Sequence, residues 1–325
     1  MKRILLLIGL YFVLLYVPDA NAQVIKTSVK RIFDNSVVLL DDYRGDSSML
    51  EEAKLGLDQV QKNNPKFPPV YHELARYFVK SGHTVGRNFR PGALEDAILA
   101  LEMATKLDPK YADAYQLKSH VLWLQGKTSE SFESLRVAEK LGSKSPFLHI
   151  TYGDLYDEQG NYDMAIDRYK RALSMTGLKR NAVTSASEGL IRVYLKANRI
   201  DEADQIYQDQ TKNEPNSAWL HGNYAKFLLC VRDDYEKSIV ESRLALNIMN
   251  YPAARLWLAG ALYRKWADQI LTGKDNQAEQ TYIEAKSVIS NDIAVTAGAG
   301  SCKPLEKIRD AKDMIANKNK LSPPK

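Results

Sequence analysis

Residues 146–179 read PFLHITYGDLYDEQGNYDMAIDRYKRALSMTGLK, and their spacing describes a helix, a turn and a second helix. Gly153 and Tyr156 fall on the first helix, Gly160 and Asn161 make the turn, and Ala165, Tyr169 and Ala172 return on the second with helical spacing. Antiparallel helices approach closely only where one side chain at the crossing is small, and Gly153 and Ala165 supply it. Tyr156 and Tyr169 fill the space beside them. A hairpin this short cannot bury its apolar faces alone, so it must stack on copies of itself.

The copies are present. A small residue followed four positions later by a larger one recurs at Ala53/Leu57, Ala97/Leu101, Ser131/Leu135, Ala165/Tyr169, Ala203/Tyr207 and Ala278/Tyr282, with a weakened copy at Ser238/Ser242. The steps between the small residues are 44, 34, 34, 38, 35 and 40, a 34-residue period met twice and otherwise lengthened. Twelve residues past each small residue stands a helix stop: Pro65, Pro109 and Pro215, or Ser143, Gly177, Asn250 and Ser290.

Over roughly residues 47–290 the chain resembles the tetratricopeptide-repeat family, whose pattern runs W-x-x-L-G-x-x-Y, then A-x-x-x-F, then P. The best copy has Tyr152-Gly153 with Tyr156 and Ala165 with Tyr169; the next has Leu190-Ile191 with Tyr194, Ala203 with Tyr207, and Pro215. It departs from the pattern at His149 and His221, where the family favours Trp, and at Ile191, where it favours Gly. The resemblance implies an all-α fold, a right-handed superhelical solenoid of stacked antiparallel helix hairpins, with about six full repeats plus capping helices.

At the start of the chain Lys2 and Arg3 precede an apolar run from Ile4 to Val17, then Pro18 and Ala20-Asn21-Ala22. This is the pattern of a cleaved signal peptide over residues 1–22, with Gln23 first in the mature chain. The alternative is an uncleaved anchor, but fourteen apolar residues fall short of the roughly twenty that span a bilayer. Export across the inner membrane, most naturally into a periplasm, is expected, with no integral membrane association after cleavage. The mature part then carries 43 basic and 39 acidic residues, a balance too mild to indicate nucleic acid.

Residues 23–46 lack a clean period, and Val37–Leu40 fits a helix or a strand equally. Residues 82–92, GHTVGRNFRPG, insert a loop with His83, Arg87 and Arg90 that reads either as functional or as a tolerated elaboration. Six extra residues after Tyr263 keep helical spacing and fit longer helices. Residues 291–325 are expected to hold a linker, a capping helix with Leu305, Ile308 and Ile315, and a disordered tail. Of the two cysteines, Cys230 reads as a small buried hydrophobe and Cys302 as a free thiol, although an oxidising compartment permits a bridge.

No catalytic pattern competes with the repeat. The five histidines include no i, i+4 pair for a metal, no Gly-rich segment follows a strand, and no serine has a nucleophile-elbow context. No enzyme, metal or cofactor is expected. In the family this chain resembles, ligands lie against the first helix of each hairpin. That register implies His72, Arg76 and Lys80, then Gln116, His120 and Trp123, then Ile150, Asp154, Asp157 and Glu158. It continues with Glu188, Arg192 and Lys196, then Trp219 and Lys226, then Trp257, Arg264 and Lys265. The carboxylate clamp of some members expects Lys and Asn where this register offers His72 and Arg76, so that specialisation is not supported.

The expectation is a non-catalytic scaffold that binds a peptide or partner protein, with tryptophans as apolar anchors and cations selecting acidic groups. A structural part of an exopolysaccharide secretion or modification machine is the alternative. A glycan also stacks on indole.

Overall fold

The computed structural model describes residues 27–289 together with Cys302, Lys312 and Ala316. The expected signal segment and the residues named for the capping helix, Leu305, Ile308 and Ile315, lie outside the described residues. Those described form fourteen α-helices and one π-helical turn, with an isolated antiparallel bridge between His83 and Phe89 and no strand. They fall into two compact units, one of residues up to Asn161 with Arg171–Ala182, the other of Tyr162–Lys170 with the chain from Val183 onward.

The first unit contains α1 (Thr27–Asp42), α2 (Ser47–Asn63), α3 (Pro68–Gly82), α4 (Ala93–Leu107), α5 (Ala112–Leu124), α6 (Thr128–Lys140) and α7 (Pro146–Glu158). Helices α1 and α2, α3 and α4, and α5 and α6 pair as hairpins, and the leading helices α1, α3, α5 and α7 touch in sequence. The segment 23–46, open between helix and strand in the sequence, is helical from Thr27 and gives α2 its hairpin partner. Its apolar stripe is interrupted by Ser36, which is buried and donates to the Ile32 carbonyl at 2.9 Å, and that polar residue hides the helical period.

Start signals are local. Pro68 and Pro146 open α3 and α7, where a missing N–H leaves no bond unmade, and the Ser145 hydroxyl accepts from the Phe147 N–H. Gly160 ends the best repeat's first helix with φ of 72°, a left-handed conformation that favours glycine.

The small-then-large pairs form the cores. Ala53 and Leu57, Ala97 and Leu101, and Ser131 and Leu135 are fully buried, each leucine contributing roughly 1.5–3 kcal/mol. Serine substitutes for alanine only with a partner: Ser131 donates to the Ser119 carbonyl and Ser238 to the Ala225 carbonyl, both at 2.8 Å.

The second unit contains α9 (Arg180–Lys196) from Val183, α10 (Ile200–Asn213), α11 (Ala218–Phe227), a π-helical turn (Leu228–Arg232), α12 (Tyr235–Ile248), α13 (Pro252–Leu271) and α14 (Asp275–Val288). The start of α8 (Tyr162–Ser174), through Lys170, also belongs to it. Hairpins α11/α12 and α13/α14 pack on each other, with α11 also against α13. Gly189 supplies the small residue that Ile191 does not, because a Cβ at 189 would overlap the ring of fully buried Tyr169. The six extra residues lengthen the first helix of the last hairpin: α13 runs 20 residues and α14 runs 14.

Cys230 and Cys302 are joined as a disulfide with their Cα atoms 4.7 Å apart, correcting the expectation of two separate thiols. The π turn carries Cys230, and Cys302 is buried in the core of Leu258, Leu262 and Trp266. A separation of 72 residues gave the sequence no cue for this pairing.

Candidate functional site

On the leading helices of the first unit, Arg76 is not offered to a ligand. Its guanidinium donates to Glu73 at 2.6 Å and to Asp41 at 2.5 Å, and Lys179 reaches the other Asp41 oxygen at 2.6 Å. His72 Nδ1 lies 2.8 Å from Glu73. Burial alone would raise the Glu73 carboxyl, but the His72 hydrogen bond and the Arg76 charge outweigh it and hold the group below its usual range. Lys80 lies over the Tyr43 ring at 5.6 Å; burial lowers its pKa and the nearby charges of Arg76 and Arg44 lower it further.

The tryptophan of this unit is covered by the chain itself. Arg87, at the tip of the inserted loop, places its guanidinium 4.1 Å from the Trp123 ring centroid and donates to Glu158 at 2.6 Å. His120 packs beside the indole with centroids 5.4 Å apart. Burial, assisted by the Arg87 charge, lowers the His120 pKa to about 4, so the ring is neutral at ordinary pH. Asp154 is 8 % exposed, and Asp157, Ile150 and Gln116 are also buried. Of the acidic stretch on α7, Glu158 alone is an exposed residue, and Asp154 and Asp157, which the register assigns to the inner surface, are buried.

In the second unit Arg192 and Lys196 are exposed on α9, and Arg192 donates to the Tyr169 hydroxyl at 2.9 Å. Trp219 opens α11 at 57 % exposure, with the Tyr251 ring 6.5 Å away. Lys226, seven residues on and therefore on the same helix face, lies over half-buried Trp257 at 5.5 Å. Arg264 is a correction: at 4 % exposure it is committed to Asp233 through bonds of 2.8 and 2.9 Å. Lys265 pairs with Glu236 at 3.0 Å.

The residue that holds Arg264 immediately follows the π turn, whose extra residue leaves Asp233 left-handed at φ 54°. One residue earlier, Arg232 donates to Asp204 at 2.7 and 3.0 Å, and Tyr224 donates to the same carboxylate at 2.8 Å. Helical periodicity carries no signal for a single inserted residue, so none of these pairings was visible in the sequence. His221, which stands where the family favours Trp, is buried between Glu241 at 2.6 Å and the Pro215 carbonyl at 2.9 Å. It borders an open depression of about 470 Å³ with Tyr224, Lys237 and Glu241.

Among the described residues no three His, Cys, Asp or Glu side chains gather to hold a metal, and no helix is long and apolar enough to cross a membrane.

A tetratricopeptide-repeat family model matches residues 153–182, overlapping the stretch that decides the fold. A TPR repeat-containing protein of Dictyostelium discoideum is 25 % identical over 177 residues, 53 % of this chain and 64 % of that protein. The chain thus spans less than two thirds of that relative's length. Among solved structures, a thermophilic TPR protein of Thermus thermophilus is similar with a TM-score of 0.51 at 21 % identity, over 62 % of this chain and 99 % of that one. The APC/C hetero-tetramer Cut9-Hcn1 gives 0.53 at 18 % identity over 72 % of this chain and 46 % of that one. Yeast Tom70 gives 0.51 at 16 % identity over 93 % and 67 %. These likenesses support the tetratricopeptide-repeat family and show its all-helical, hairpin-repeat fold.

Proposed function

We propose that this chain is a non-catalytic scaffold that binds a peptide or partner protein against the leading helices of its hairpins. The observation that carries the reading is Trp219, a large aromatic left 57 % exposed on a leading helix, with Lys226 on the same face. An indole in water is stabilised by a partner that covers it, and tryptophan is among the residues enriched in binding hot spots. Arg192 and Lys196 are also exposed on α9, and Trp257 is half-buried.

The compartment we propose is the periplasm or another secretory space. The signal-like residues 1–22 support it, and so does the Cys230–Cys302 bond, since disulfides persist where the surroundings are oxidising.

The test places a photo-crosslinking residue at Trp219 and, as control, at Ile283, which is equally exposed on the second helix α14. One protein captured in the native envelope from position 219 and not from 283, and lost from a Trp219→Ala chain in a competition assay, is the expected result. Equal capture from both positions refutes the reading. A glycan product at 219 favours the exopolysaccharide-machine alternative instead.

A further inference from the structure

The loop between α3 and α4 is a built hairpin. The Thr84 N–H donates to the Asn88 carbonyl at 2.9 Å, the Asn88 N–H to Val85 at 3.1 Å, and the Arg90 N–H to Gly82 at 2.7 Å. His83 donates through Nε2 to the Gly86 carbonyl at 2.8 Å and packs edge-on against Phe89 with centroids 5.5 Å apart. The hairpin therefore presents Arg87 in one place. There its guanidinium meets two groups from other helices, the face of Trp123 on α5 and the carboxylate of Glu158 on α7.

An indole face beside a carboxylate is the chemistry that recognises a guanidinium: the ring attracts the cation's flat face while the carboxylate accepts from its edge. His120 next to the ring is neutral, so no second positive charge opposes a cation there. Trp123 Nε1 is buried without an acceptor among the described residues, a donor that a partner's main-chain carbonyl would satisfy once the loop is displaced. The loop's hold is weak by its exposure. Arg87 and Glu158 keep 53 % and 32 % of their side-chain surface in water, and Val85 at the tip packs on little.

We propose that Trp123 and Glu158 form a recognition site for an arginine side chain of a partner protein, and that Arg87 is an internal occupant which the partner's arginine replaces. This rests on the leading-helix surface being the binding face, and gives its first-unit part a ligand chemistry. The internal occupant acts at a high effective concentration, so a lone arginine displaces it only when abundant, whereas a segment that adds contacts beyond one arginine displaces it readily. The loop thereby sets a threshold for binding.

The experiment measures binding of the blocked peptide Gly-Gly-Arg-Gly-Gly and of its citrulline twin, which keeps the shape and lacks the charge, to the full mature chain. Titration calorimetry and the Trp123 indole N–H resonance report it. The Arg87→Ala chain is expected to bind the arginine peptide on the order of tenfold tighter than the native chain, with the gain absent for citrulline. Adding Glu158→Gln to Arg87→Ala should abolish the gain.

An Arg87→Ala chain that binds no tighter, or that binds citrulline equally, overturns the proposal. If that variant does not fold by circular dichroism, the native chain decides: saturating arginine peptide must shift the Val85–Asn88 amide resonances together with the Trp123 indole, and binding that leaves the loop amides unmoved overturns it. The crosslink at Trp219 uses none of these residues. Capture there with no arginine gain refutes this site alone, whereas failure of both refutes the binding face itself.

Discussion

The two units treat the same kind of residue in opposite ways. In the first, the leading-helix tryptophan Trp123 lies beneath Arg87 of the inserted loop, and the cation is in turn held by Glu158. In the second, Trp219 stands open, while a cation of the register, Arg264, is withdrawn into a buried pair with Asp233. Ten residues of insertion at one hairpin and one extra residue at a π turn produce this difference. A shared repeat register thus says where a side chain starts, and the departures from the repeat decide whether it reaches water.

The largest expected effect breaks the symmetry between the units through the disulfide. A Cys230→Ser change removes a closure of 72 residues and should cost about 4 kcal/mol on the loop-entropy model. Native-state amide exchange should accelerate in α11–α14 and leave α2–α6 nearly unchanged, because stacked repeats communicate mainly with their neighbours. Equal acceleration in both units would contradict the separation.

A paired substitution sharpens the contrast between the tryptophans. Trp123→Ala removes a ring packed against His120 and the Leu135–Leu155 core, and should destabilise the chain by about 2 kcal/mol in urea titrations. Trp219→Ala removes a mostly solvated ring and should stay within about 0.5 kcal/mol. Similar losses at both sites would mean that Trp219 is as structural as Trp123.

The smallest effect is in pH. His120 is held neutral in the folded chain, with its pKa lowered by burial and then by Arg87 to about 4, against an ordinary histidine value of 6.5. The unfolded chain therefore takes the proton first. Stability from this group is fully present above about pH 6.5 and is lost as pH falls toward 4. Ring-proton NMR should show a midpoint near that lower value, moving upward in Arg87→Ala, while a native midpoint at 6.5 would show that the loop and the indole do not enclose the ring. Glu73 and Asp41 titrate lower than ordinary carboxyls, since both are held below their usual range in spite of burial, by His72 and Arg76 for Glu73 and by Lys179 and Arg76 for Asp41.

Read alone, the sequence determined the hairpin repeat, its period and its core. Ala53, Leu57, Ala97, Leu101, Leu135, Ala165 and Tyr169 are all fully buried where the small-then-large spacing put them. Such positions are legible because helical geometry turns a spacing in the chain directly into a face in space. It also identified the leading-helix residues, with Trp219 and Lys226 among them, but not their fates.

Whether Arg76, Trp123 and Arg264 meet solvent was decided by groups distant along the chain: Asp41, Arg87 and Asp233. The Cys230–Cys302 bond and the π turn belong to the same class. Each depends on residues with no periodic relation to it, brought together only when the hairpins stack, and a one-dimensional pattern holds no record of that encounter.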